Sequence, residues 1–516
     1  LYSGALRRVR KAAAAGADHL TAELLRRLPK VLHTSLREYL RLALVKRDLT
    51  AALPTTVLKW LPKSADEPAY IDNTTRGFPR LRPVGLNTVL SKVFEYILFE
   101  IQYKMNAGDK VKVDPMMFAW YRGRRTFSAA MIHQVTVEDA ARRGAPLRTV
   151  SLDARHHFDT VHLATSVKIE RAMGYPEEMI IAKASIKAGP MVVRTEHGLT
   201  RAIHTEQGLG QGRVDAPHDS NRWDTFMIAA LSHGSPYVAF DGTLYAIPIH
   251  VLAYADDKNF YSGGTLPEPP ADGGQRRPEQ PRGAPIQGPL SDMTTQYQHE
   301  GQSFNTEKCV DRHINMDDPA TLRELPDMTT GGTMAIKTVR AGEAVRYLGH
   351  HGSLDGKTEA GAEMLLQECK DEADLLRSPA VDWPTTHYSI GRVVGGKVGY
   401  KATVTKGMRR RLEAADRYIA TPTQAKLGEL RSSTRDYLWI SDGLGLGLES
   451  AFDTWIRRLL PEVLTDMNDT GKAGSFMRGA AEAYRERSLT TTPWGRSRQP
   501  QPSGSKGGDG CLDERV

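Results

Sequence analysis

Two apolar segments that each run into carboxylates constrain this chain more than any other feature. Arg148-Thr-Val-Ser-Leu-Asp153 reads as a short buried strand with an acid at its end. Residues 244–254 and 259–261 are rich in β-formers and flank Ala255-Asp-Asp-Lys258, the outline of a hairpin whose turn carries two acids. A helix is expected across residues 161–173. The pattern predicts an α+β core built on an antiparallel sheet.

Two acids in a hairpin turn are most often a solvated loop. Acids at the ends of neighbouring strands can instead converge on one sheet face, where Mg²⁺ finds oxygen ligands and keeps room for water and phosphates. Here Asp153 is followed five residues later by Phe158 and then by Asp159, and the Asp256-Asp257 pair comes about a hundred residues further on. Together they suggest one metal site. The His156-His157 pair beside it lacks partners for a zinc site.

The 516 residues suffice for two to four packed units, and 40% hydrophobic with 25% charged residues is ordinary for a soluble globular chain. Lys and Arg outnumber Asp and Glu by 69 to 61, a balance of +8 that suits a polyanionic partner and equally a basic surface kept for solubility. Cys309, Cys369 and Cys511 are too far apart for a disulfide framework or a CxxC ligand pair, so an intracellular compartment is the expectation. No apolar run approaches the length of a membrane span, and no membrane is expected as a partner. The start at Leu1, without Met, suggests a fragment of something longer.

Residues 4–61 show helical periodicity, with Leu20, Leu24, Leu25, Leu28, Leu32, Leu36, Leu40 and Leu44 among Arg and Lys and with Pro29 and Pro54 as breaks. Residues 63–80 read as loop or short hairpin. Asn87 is expected to cap a helix through Val93, Phe94, Ile97, Leu98 and Ile101. Residues 114–143 give a turn and another helix. Seven prolines and six glycines between 263 and 290 predict a disordered insertion. A helix over 293–302, a Thr/Gly-rich turn near 328–333 and helical periodicity from Glu359 follow, and the tail after 490 is expected to be disordered.

With these features in order, the chain resembles the reverse transcriptase family, most of all the non-LTR (LINE-type) retrotransposon enzymes. Asp153-x4-Phe158-Asp159 and Tyr254-Ala-Asp-Asp257 resemble its motifs A and C. Ala15-Gly-Ala-Asp18, then Pro62-Lys63, Arg82-Pro-Val-Gly-Leu86 with Lys92 and Glu95, and residues 118–132 with Arg122-Gly-Arg124-Arg125-Thr126 are similar to its fingers blocks. Gln211-Gly212 with Pro217 matches motif B, Asn305-x-x-Lys308 motif D, and Tyr347-Leu348-Gly349 the primer-grip turn. The resemblance covers roughly residues 12–355.

The resemblance implies a right-hand polymerase with fingers, a palm on an antiparallel sheet and a helical thumb. It places fingers and the start of the palm in 1–150, the palm catalytic core in 151–262, the insertion in 263–290, the rest of the palm in 291–355, the thumb and C-terminal helices in 356–489 and the tail in 490–516. It implies two Mg²⁺ ions, with Mn²⁺ as a possible substitute, on Asp153, Asp256 and Asp257. Lys63 and Arg82 would grip the triphosphate, Phe158 would exclude a 2′-hydroxyl, and Gln211 and Gly212 would lie under the nascent base pair. Lys308, Tyr347, Leu348 and Gly349 would serve template and primer. The implied partners are an RNA template, a DNA primer and deoxynucleoside triphosphates, and a nuclear location is expected. A group II intron or retron enzyme shares this outline, as does an inactive descendant that only binds nucleic acid. Gly210 and Ala216 stand where the family has Arg and Ser, and Arg213-Val-Asp215 replaces an apolar stretch, changes expected to weaken template contacts.

Overall fold

The Leu147–Arg155 strand is the spine of the main sheet: Val150, Leu152 and Ala154 give it one apolar face, and Thr149, Ser151 and Asp153 alternate onto the other. The computed structural model describes residues 1–11, 15–46, 55–62, 81–107, 114–121, 124–155, 157–195, 197–210, 212–229, 236–241, 246–263, 287–300, 302–316, 325–327, 332–391, 395–405, 408–426, 448 and 450–488. Within them the strand order is Lys337–Val339, Val310–Ile314, Leu147–Arg155, Asp257–Gly263, Val251–Tyr254, with Ser303–Phe304 pairing onto the end of the central strand. The Val310–Ile314 and Lys337–Val339 pair is parallel, so the sheet expected to be antiparallel is mixed at that edge. The pairs of the central strand with Val310–Ile314 and Asp257–Gly263, and of Asp257–Gly263 with Val251–Tyr254, are antiparallel.

Alternation along the central strand sends Val150, Leu152 and Ala154 to one face, where they pack with Phe260, Trp223, Met227, Met293 and Tyr297. Trp223 and Met227 lie on the Ala216–Ala229 helix and Met293 and Tyr297 on the Gln287–His299 helix. Each fully buried side chain of this size contributes about 1.5–3 kcal/mol. On the other face the Thr126–Arg143 helix covers Leu147, Leu252 and Tyr261. The end of that face holding Asp153 and Asp257 stays half-buried.

A second sheet joins Thr56–Pro62, Leu81–Leu86, Met191–Thr195 and Gly198–Leu199. The helical reading of residues 4–61 fails at its end: Tyr2–Arg8, Ala22–Arg27 and Lys30–Lys46 are helices, but Thr56–Pro62 is a strand. Pairing with Leu81–Leu86 satisfies that backbone and overrides the short local pattern. Asn87 is not the cap of the Val89–Ala107 helix either. Thr88 Oγ1 accepts from Ser91 N at 3.1 Å, while buried Asn87 accepts from Thr56 Oγ1 at 3.0 Å.

The helix expected at 293–302 spans Gln287–His299, so the last residues of the presumed insertion are its first turn. Residues 264–286 lie outside the described residues, as do 63–80 and the tail from 489. The turn region near 328–333 is bounded by the paired strands Leu325–Asp327 and Gly332–Met334. From Glu359 onward the helical reading holds, with Glu359–Leu376, Met408–Lys426 and Ala451–Met467 packing Leu365, Cys369, Leu412, Ile419 and Trp455 into one core. Asp466 ties this region to the sheet layer by accepting from Ser128 Oγ at 2.9 Å. Among the described residues no helix is long and apolar enough to cross a membrane.

Candidate active site at the open end of the sheet

Antiparallel pairing of Leu147–Arg155 with Asp257–Gly263 sets Asp153 directly opposite Asp257, and the same register sets Ser151 against Asn259 and Thr149 against Tyr261. Directly opposed residues share a face, so both carboxylates project from one side. In the hairpin Tyr254 pairs with Asp257, leaving Ala255 and Asp256 as a two-residue turn. Ala255 has φ +58 and Asp256 does not have positive φ, the pattern of a II′ turn that usually has Gly first. Holding a residue with a Cβ there costs about 1–3 kcal/mol. The closure of the hairpin by Tyr254 and Asp257 places Asp256 at the tip.

One residue on, the pleat sends Lys258 to the opposite face, where it is fully buried 3.1 Å from Asp224 Oδ1. Tyr297 OH donates to the same oxygen at 2.6 Å. His157 joins this network, with Nε2 3.5 Å from Asp224 Oδ2 and 2.8 Å from Ser220 Oγ, and Nδ1 3.0 Å from Gln302 Oε1. Burial pushes the Asp224 carboxyl up, but Lys258 and His157 outweigh it and hold it below the usual range. His157 is therefore a structural support beneath the site, and His156 lies outside the described residues.

Burial first, then the charges of Asp256 and Asp153, pushes Asp257 up to about 6 against the pull of Lys258 and Lys308. Asp256 and Asp153 thus both lie near enough to Asp257 to act on its carboxyl. Lys308 Nζ lies 3.2 Å from Asp153 Oδ2, and Asn305 N donates to Asp153 O at 2.9 Å, so the Asn305-x-x-Lys308 segment sits against the central strand. Among the described residues no three His, Cys, Asp or Glu side chains are placed so that together they could hold a metal ion, Asp153, Asp256 and Asp257 included. The half-buried Asp153, Asp256 and Asp257 are hard oxygen donors of the type Mg²⁺ takes, and Lys308 is the cation that faces Asp153 in this arrangement.

Phe158 follows the central strand in the short His157–Thr160 helix, half-buried and packed against the core cluster of Val150, Leu152 and Trp223. Its carbonyl accepts from Leu209 N at 2.7 Å, which ties it to the Gly-rich loop before Gly212. Gly212 has φ +98, and a Cβ there would lie 2.7 Å from Gly85 O, so its glycine is required by close approach to the Leu81–Leu86 strand. Arg82 is exposed on that strand. Lys63 and Gln211 lie outside the described residues.

Tyr347-Leu348-Gly349 forms the turn of the Val345–Tyr347 and His350–Gly352 hairpin. Leu348 at φ +47 and Gly349 at φ +82 are the two positive-φ residues of a I′ turn. Tyr347 itself is only 7% exposed and packs against His133, whose Nδ1 is 2.7 Å from Tyr261 OH. The hairpin therefore lies on the sheet face that carries Asp257, but the tyrosine ring points into the core. Leu348 and Gly349, at the tip of the turn, are half-buried. Tyr400 OH donates to Leu348 O at 2.5 Å and steadies that turn.

Two residues carry more of the site than sequence reasoning gave them. Arg213 does not face a template: its guanidinium is buried, donating to Ile186 O at 2.8 Å and lying 3.4 Å from Glu95 Oε1. Val214 N donates to Glu95 Oε2 at 2.8 Å. Trp120 is 40% exposed with φ +56, and its ring lies 5.7 Å from Phe158 and 6.4 Å from Tyr254. It falls within the 118–132 block, but nothing in the local sequence signals its left-handed backbone.

No family model and no curated protein matches the chain. Among solved structures, the chain is similar to telomerase from Candida albicans in complex with the TWJ fragment of telomeric RNA, at 10% identity and a TM-score of 0.40, over 90% of this chain and 67% of that one.

Proposed function

We propose that this chain is an RNA-directed DNA polymerase with right-hand architecture, working by two-metal nucleotidyl transfer as part of a non-LTR retrotransposon. The observation that carries the reading is the register of Asp153 against Asp257, with Asp256 in the adjoining strained turn. Two segments about a hundred residues apart bring three carboxylates to one end of the sheet, the donor type this chemistry uses.

Two Mg²⁺ ions held by Asp153, Asp256 and Asp257 would activate a primer 3′-hydroxyl and stabilise the leaving pyrophosphate. The chain's own residues supply the positioning. Arg82, exposed on its strand, would with Lys63 neutralise the triphosphate by charge-assisted hydrogen bonds. Phe158, half-buried five residues after Asp153, would stand against the sugar and exclude a 2′-hydroxyl. The Leu348-Gly349 turn would seat the primer end from the same sheet face. Gly212 would bring the loop backbone close to the nascent pair, with Gln211 beside it.

A second reading, an inactive relative that only binds nucleic acid, is favoured by the Lys308–Asp153 pair, which already neutralises one of the acids. Primer extension on an RNA template with deoxynucleotides and Mg²⁺ separates the two. Wild-type protein is expected to extend, and Asp256→Ala to fall to background while still shifting a labelled duplex. Equal, negligible extension by both proteins with duplex binding intact would establish the binding-only reading.

A further inference from the structure

We propose that Trp120 is a specificity-determining wall of the nucleotide site, holding the Phe158 ring in place so that discrimination between deoxy- and ribonucleotides depends on the Trp120–Phe158 pair; this rests on the polymerase reading above.

The segment before Trp120 is fastened to the strand that carries the acids. Phe118 N donates to Ala253 O at 2.9 Å and Ala253 N to Met116 O at 3.1 Å, making a parallel bridge between Met117 and Ala253. Ala253 belongs to the Val251–Tyr254 strand that turns into Asp256. The bridge therefore delivers Trp120 to the acid end of the sheet.

The loop itself is tied at several carbonyls. Arg124 Nη1 donates to Met117 O at 2.5 Å and to Asp114 O at 2.8 Å, and Asn221 Nδ2 donates to Ala119 O. These contacts hold Trp120 at φ +56, a conformation that favours Gly. A bulky residue kept there against its backbone preference is a mark of local function.

The ring's surroundings say which function. Trp223 and Trp455 are core residues at 1% exposure, whereas Trp120 is 40% exposed. It meets Phe158 edge-on, with an interplanar angle of 79°, and lies tilted against Tyr254, which is the cross-strand partner of Asp257. Tyr254 is pinned by Thr126 Oγ1 at 2.8 Å, and the Phe158 backbone by Leu209. With Tyr254 and the Phe158 backbone fixed, the indole packed edge-on against the Phe158 ring limits the rotamers that ring can take. Exclusion of a hydroxyl depends on ring placement within a fraction of an ångström.

The test compares wild type with Trp120→Gly, Trp120→Phe, Phe158→Ala and Trp120→Gly/Phe158→Ala. Glycine suits the backbone at this position, so the ring is removed without unfolding the loop. Single-nucleotide incorporation is measured with dGTP and GTP, and equilibrium binding of both is measured on complexes with a dideoxy-terminated primer. Trp120→Gly is expected to lose preference for dGTP by about 10-fold or more, a change within the range of a reshaped pocket. Trp120→Phe should retain part of the preference, and the double variant should match Phe158→Ala. An unchanged preference in Trp120→Gly, or additive losses in the double variant, would overturn the inference. Should wild type bind dGTP in preference to GTP without incorporating it, and Trp120→Gly lose that preference, the inference stands while the polymerase reading falls. A wild type that binds both nucleotides alike overturns the inference whatever the extension assay gives.

Discussion

Lys308 and Asp153 are joined across the open end of the central sheet, Nζ to Oδ2 at 3.2 Å, with the lysine side chain 66% exposed and the aspartate 13%. The ammonium occupies a position that a bound cation would contest. Because one partner is largely in water, the pair stabilises the fold by no more than about 1 kcal/mol.

Lys308→Met is therefore expected to bind Mn²⁺ as tightly as wild type or up to about 5-fold more tightly, since a competitor worth that little has been removed. Asp153→Asn should weaken binding by at least about 10-fold, having lost a charged oxygen ligand. Electron paramagnetic resonance titration of free Mn²⁺ reads both. Loss of Mn²⁺ binding in Lys308→Met would show that the lysine organises the site instead of competing for it.

Asp257 gives a pH signature in chelator-treated protein. Its folded-state pKa of about 6 exceeds the ordinary value of 3.8, so the folded protein holds this proton more tightly than the unfolded chain. The associated stability is present in full below the ordinary value and is lost as pH rises through about 6. The loss is at most about 3 kcal/mol for a shift of this size. Asp257→Asn should exceed wild type in urea midpoint by more at pH 7.5 than at pH 5, and a gap independent of pH would contradict the assigned repulsion.

Arg213 and Glu95 form a buried pair, and burial ahead of Asp215 pushes the glutamate up to about 7 despite the arginine. Removing one partner leaves the other uncompensated, at a cost of about 3–5 kcal/mol. Arg213→Met should show that loss in urea unfolding, and Arg213→Met/Glu95→Leu should recover much of it. If the double variant is no more stable than the single, the arginine acts through its bond to Ile186 O and not through the glutamate.

Gly212 and Gly4 make a matched contrast. At Gly212 a Cβ meets Gly85 O at 2.7 Å on a positive-φ backbone, whereas at Gly4 nothing lies within 4 Å. Gly212→Ala should destabilise by about 1–3 kcal/mol or more, and Gly4→Ala, in the Tyr2–Arg8 helix, should be neutral or stabilising by up to about 1 kcal/mol. Denaturant midpoints decide it, and a harmless Gly212→Ala would mean that the Leu81–Leu86 strand can move away.

The sequence by itself determined the local part of this protein. Apolar residues marked the strand through Asp153, which runs on to Arg155; the β segments flanking residues 255–258 marked a hairpin, although only Asp256 of its two acids lies in the turn and Asp257 begins the next strand; and helical periodicity marked the region after Glu359. These signals are carried by neighbours in the chain, whose dihedral preferences and side-chain spacing act at short range. Residues 56–62 show the limit, since a distant partner strand overrode their local pattern. Tertiary structure alone decided that Asp153 meets Asp257 in register, that Tyr347 turns inward, that Arg213 pairs with Glu95, and that Trp120 stands beside Phe158. Each of those outcomes depends on which face of a strand or loop is buried and against what, a property of long-range packing that no window of sequence contains.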